Sequence, residues 1–160
     1  MDLSEAKKTI TDGSVHWLRW ALQLQLHSIT VKWRRIDCAQ RIARDENVLG
    51  RCSVDPSYRR AIIEIDNDHH DSPEELLHTL RHEMLHVLLG QFEILRQQIS
   101  KVVSDDMFEV LDVAWRDASE RAVAMMEDAL DNGLGLTPEK MIELAKTREQ
   151  ERNKEQGHAS

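Results

Sequence analysis

At Ser72 the spacing of apolar residues changes period, and that switch limits the folds open to this chain. Before it, apolar and polar side chains alternate: Ile29, Val31 and Trp33 are separated by Thr30 and Lys32, and Ala61, Ile63 and Ile65 by Ile62 and Glu64. A two-residue period sends successive side chains to opposite faces, so half-buried strands are expected over 28–33 and 58–66. A third strand over 47–54 meets the latter through Asp55-Pro56-Ser57, where proline sets a turn. After Ser72 the pattern becomes helical, with Leu76, Leu77, Leu80, Met84, Leu85, Val87 and Leu88 at three- and four-residue steps. Ser72-Pro73-Glu74-Glu75 supplies a serine cap, a proline in the first turn and a glutamate three residues after the cap. The helix is expected to reach about Gln91 or beyond, weakened at Gly90.

Other segments follow the same logic. Asp12-Gly13-Ser14 offers caps for a first amphipathic helix through Val15, Leu18, Ala21, Leu22 and Leu26, and a short helix or loop follows the first strand through Arg41. Ser104-Asp105-Asp106 caps a long core helix whose stripe is Phe108, Leu111, Trp115, Ala118, Ala122, Met125 and Ala129, ending near Gly133. Thr137-Pro138-Glu139 opens a last helix through Lys146. The expectation is an α+β, mostly helical fold: a small three-stranded twisted sheet packed on the helix after Ser72, followed by the second long helix. With 160 residues it forms one domain over 1–146, and the polar stretch 147–160 is expected to be disordered.

A net charge of −8 argues against nucleic acid and anionic lipid as partners. No apolar run is long enough to cross a bilayer, and Met-Asp-Leu-Ser-Glu lacks the basic-then-apolar pattern of an export signal, so the expected location is cytoplasmic. Cys38 and Cys52 are too few for a disulfide framework and are read as reduced thiols. Trp17, Trp20, Trp33 and Trp115 are read as packing residues.

Within the helix after Ser72 lies His82-Glu83-Met84-Leu85-His86. Side chains four apart project from one helix face one turn apart, so both imidazoles can reach a single ion. Glu83 stands beside that ion, where a carboxylate can take a proton from metal-bound water. Two histidines and a carboxylate suit Zn²⁺, which in catalytic sites takes three protein ligands and keeps one position open. The motif should occur by chance on the order of 0.04 times in such a chain, before helical context is required.

The motif and the strand before it resemble the active-site helix and edge strand of zincin metallopeptidases. The resemblance implies a zinc-dependent hydrolase of peptide bonds, with Glu83 as general base and an extended peptide or protein substrate pairing with the edge strand. Positions three and six after the second histidine are Leu89 and Phe92, which disfavours the metzincin pattern. No histidine follows before His158, which disfavours the SprT-like one. The glutamate branch remains, the gluzincins, in which a later helix supplies a glutamate. Glu120, in Ser119-Glu120-Arg121-Ala122, resembles the corresponding helix of small ImmA/IrrE-like and phage-borne zinc peptidases; Glu109 and Glu127 are the alternatives, and a water, an aspartate or another ligand also stays open. Glu93, seven residues past His86, projects away from the ion. Two rival readings stand beside the peptidase: a zinc-stabilised binding or regulatory protein without turnover, with His78 as a possible fourth ligand, and a regulator-cleaving protease of a mobile element. His78, His69-His70-Asp71, Tyr58 and the cluster Arg34, Arg35, Arg41 and Arg44 are each read first as ordinary solvated or turn residues, and second as site residues.

Overall fold

The computed structural model describes residues 26–36 and 49–135 continuously, together with positions 4, 7, 19, 22, 24, 137, 140, 143, 144, 147, 150 and 154. The fold is α+β. Among the described residues, β1 (Ser28–Arg34), β2 (Gly50–Asp55) and β3 (Arg60–Asp66) precede α1 (Pro73–Leu89), α2 (Gln91–Ile99) and α3 (Asp105–Ala129). No helix of these is long and apolar enough to cross a membrane.

The sheet has the order β1-β3-β2, with β1 parallel and β2 antiparallel to β3. Arg60–Asp66, which the resemblance casts as an edge strand, is therefore the central strand, and β2 is an edge. Alternation aligns the inward residues in rows: Val31, Ile63 and Cys52 lie side by side, as do Ile29, Ala61 and Val54. These rows pack on Leu76, Leu77, Leu80, Met84 and Val87 of α1. Burying each such aliphatic side chain is worth about 1.5–3 kcal/mol, so this sheet-on-helix layer is the main stabilising contact. The opposite sheet face stays polar, and there Arg34 pairs with Glu64 at 2.7 Å.

β2 and β3 start later than their sequence pattern suggests, at Gly50 and Arg60, whereas β1 runs one residue further than expected, to Arg34. Pro56–Arg59 form the turn, and Arg59 adopts a left-handed φ of 51° before β3 begins at Arg60. Asp66 ends β3 as a fully buried carboxylate, accepting from the N–H groups of Ile36 (3.0 Å) and Asp68 (2.8 Å) and contacting His69 Nδ1 at 2.8 Å.

α1 starts as expected, with Ser72 Oγ accepting from Glu75 N–H at 3.1 Å and Glu75 reaching back to Asp71 N–H at 2.7 Å. It stops at Leu89. Gly90 then lets β2 press close, because a Cβ there would stand 2.5 Å from Val54 Cγ1. The chain resumes as the separate helix α2 rather than running on.

α3 differs from its expected packing. Its inner face is Trp115, Ser119, Val123, Met126 and Leu130, whereas Leu111 and Met125 of the predicted stripe are 41% and 73% exposed. A π-helical turn, Leu130–Leu134, closes α3, and Gly135 follows at a left-handed φ of 59°. Of the predicted first helix, Arg19 is helical, Leu22 and Leu24 are buried and Leu26 is exposed; Val15, Leu18 and Ala21 lie outside the described residues, as do Cys38, Arg41, Arg44, Trp17 and Trp20. The described positions 147, 150 and 154 of the tail are helical.

Candidate metal centre

Because α1 carries His82 and His86 one turn apart, their rings meet edge to face with centroids 5.0 Å apart and Nε2 atoms 3.2 Å apart. The rotation of α3 that exposes Leu111 turns Glu120 toward them. Its Oε2 lies 3.2 Å from His82 Nε2 and its Oε1 lies 3.3 Å from His86 Nε2. One ligand atom from each of the three side chains falls within 4.8 Å of the others. Glu120 is thus the glutamate that the structure brings to the histidines. Glu109 is exposed on the first turns of α3, and Glu93 is tied to Arg96 on α2 at 2.7 Å.

Each ring's second nitrogen also has a partner. His82 Nδ1 lies 3.5 Å from Glu127 Oε2, and His86 Nδ1 lies 3.4 Å from Ser119 Oγ. A zinc site needs histidine lone pairs directed inward and the other ring N–H held outward, and this donor set meets both requirements. His78 does not join the cluster among the described residues; its Nε2 sits 3.5 Å from Glu127 Oε1.

Glu83 is only 7% exposed and lines the same cleft, of about 1090 Å³, between β2, α1 and α3. Burial pushes its carboxyl up to about 7, against the opposing pull of His86 and His82. A group that titrates near neutrality is suited to accept and return a proton at physiological pH. Gly50 makes room for it, since a Cβ there would stand 2.7 Å from Glu83 Oε1 and 2.8 Å from Thr79 Cγ2. Without a cation, Glu120 and then Glu127 hold His82 up to about 10, and the two histidines hold Glu120 well below the usual carboxylate range.

The remaining residues singled out from sequence sort by position. His70 is buried, bridging Asp66 O (3.0 Å) and Thr79 Oγ1 (3.1 Å), so it fastens β3 to α1 rather than lying in a solvated loop. His69 pairs with Asp66. Tyr58 is 71% exposed on the β2–β3 turn, stacked against Arg60, and does not line the cleft. Trp115 lines the cleft wall beside Ser119. Cys52 carries a free thiol facing the cleft, its pKa raised by burial and then by Glu83. Sequence reasoning did not single out Ser119, Gly50 or the outer role of Glu127. The seven-residue step from Glu120 to Glu127 places both on one face of α3, and that spacing was the available signal.

The chain matches no family model, no curated protein and no solved structure. The chemistry of the site rests on its own residues.

Proposed function

We propose that the protein is a zinc-dependent peptide hydrolase, with the ion held by His82, His86 and Glu120. The observation that carries this reading is the convergence of two imidazole nitrogens and one carboxylate beside a buried glutamate. When bound, the ion would supply Lewis-acid chemistry, acidifying water and polarising a carbonyl. Glu83 accepts the proton of the attacking water at its carboxylate and passes it to the leaving amine. Its burial keeps that proton from bulk solvent.

The substrate reading follows from β2. It pairs only with β3 among the described strands, so its outer edge carries backbone groups with no strand partner among the described residues, and Gly50 to Val54 border the cleft. An extended peptide can add there as a further strand, with its carbonyl near Glu83. The non-catalytic alternative needs a fourth protein ligand, and His78 is engaged with Glu127 instead.

The test pairs two measurements on wild type and Glu83→Gln. We expect one zinc per chain in both proteins. Hydrolysis of a peptide library should fall about 10²–10⁴-fold in the variant. Undiminished hydrolysis by Glu83→Gln removes Glu83 as the base, and wild-type protein that takes up no zinc removes the reading as a whole.

A further inference from the structure

α3 reaches His82 twice. Glu120 faces its Nε2, and Glu127, two turns further along the same helix, faces its Nδ1 at 3.5 Å. Glu127 is itself braced. Its side chain is 12% exposed, and its other oxygen, Oε1, lies 3.9 Å from Arg81 Nε and 3.5 Å from His78 Nε2. Arg81, one residue before His82, is fully buried and grips Asp131 through two contacts of 2.5 and 3.1 Å. A run of contacts therefore leads from the π-helical turn through Arg81 and Glu127 to the ring of His82.

A lone histidine ring can turn about its side-chain bonds and place its N–H on either nitrogen. Fixing a carboxylate at Nδ1 removes both freedoms: the N–H stays at Nδ1, and the lone pair at Nε2 points where Glu120 and His86 converge. A carboxylate also raises the donor strength of the ring more than a neutral acceptor does. His86 has only the Ser119 hydroxyl at the equivalent place, 3.4 Å away, so the two histidines are unequally supported.

We infer that Glu127, braced by Arg81, is a positioning residue that sets the orientation and tautomer of His82 for cation binding, and that His82 is the more firmly held of the two imidazoles. The inference rests on the metal-site reading above and adds to it a residue that touches neither ion nor substrate.

The test uses Co²⁺ and Zn²⁺ with wild type, Glu127→Gln, Glu127→Ala and Ser119→Ala in the full chain. Glutamine matches the size of Glu127 but removes its charge, and with it the ion-pair attraction to Arg81 and His82, so it decides the matter if the alanine variant does not fold. We expect zinc affinity, measured by chelator competition, to fall about 10–100-fold in Glu127→Ala. A smaller loss is expected in Glu127→Gln, and the smallest in Ser119→Ala. In proton spectra of the Co²⁺-loaded protein, wild type should show two slowly exchanging ring N–H signals. The Glu127 variants should lose or broaden the signal of His82 alone. Glu127 variants that keep wild-type affinity and both ring signals, while Glu120→Ala loses the metal, overturn the positioning role and leave the metal site standing. Wild-type protein that takes up neither Co²⁺ nor Zn²⁺ overturns the site reading and this inference together.

Discussion

In the metal-free protein the Glu120 carboxylate sits between two imidazoles and, with Glu127, holds His82 up to about 10. The folded-state pKa is raised, so the ion pair stabilises the fold fully below about 6.5, the ordinary histidine value. That contribution is lost as pH rises through 10. A cation must displace the same proton. Zinc binding at pH 7–8 should therefore release about one proton from His82, and apparent affinity should rise with pH across this range. Calorimetry in two buffers of different ionisation enthalpy reads the release directly, and identical heats in both would contradict it. The motif around these residues was legible because its five positions hold both imidazoles and Glu83 on one helix. Glu120 was singled out by resemblance and by the weaker apolar face of Val113, Val123 and Ala124 beside it, against a place nearly opposite the Phe108, Leu111 and Trp115 stripe that suits a solvated glutamate as well.

α3 explains why. Of the apolar stripe counted from sequence, Phe108, Trp115 and Ala122 are half-buried while Leu111, Ala118, Met125 and Ala129 are exposed, because the side of the helix turned to α1 also carries Ser119, Glu120 and Glu127. A helix that contributes polar groups to a site spends core-facing positions on them, and a reading that equates inside with apolar then rotates the helix. Val123, fully buried, was the correct landmark. β3 was misplaced for a different reason: its edge position came from the resemblance, and alternation, which reports only which face is buried, holds no information about which neighbour lies on each side. The break after α1 is sharper in its cause. Gly90 has an ordinary helical φ of −59°, so conformation does not demand glycine there, whereas the 2.5 Å approach of Val54 does. Gly90→Ala gains up to about 1 kcal/mol of helix propensity. It meets an overpacking cost of about 1–3 kcal/mol against β2. We expect a net loss of thermal stability in Gly90→Ala and only a partial recovery in Gly90→Ala with Val54→Ala, because alanine at 54 removes the two methyl groups but keeps the Cβ that would stand 2.9 Å from the new side chain. A melting temperature for the single variant equal to or above wild type would show that β2 yields at no cost.

The molecule is held together at two ends. At the far end of α3, the buried Arg81 pairs with the partly exposed Asp131 and fastens the π-helical turn to α1; at the sheet end, Asp66 ties the residues after β1, the end of β3 and the loop leading to α1 into one knot. The sheet-end knot carries a clear pH signature. Burial alone would raise the Asp66 carboxyl, but hydrogen bonds from Asp68, His69 and Ile36 hold it down to about 2. A depressed carboxylate contributes stability above its unfolded value near 4, and that contribution is lost as pH falls toward 2. Asp66→Asn keeps the shape but loses the charge and one of the two acceptor oxygens that serve three neighbours. Wild type should therefore melt at a higher temperature than Asp66→Asn by a constant margin above about pH 4.5, a margin that closes as the pH approaches 2. Because His70 hangs from the Asp66 backbone carbonyl and reaches Thr79 on α1, loosening this knot should also slacken the contact between β3 and the helix that carries the site. The zinc affinity of Asp66→Asn, measured at pH 7, tests that reach. A loss confined to melting temperature, with affinity unchanged, would mean that α1 holds its two histidines in place without help from the sheet end.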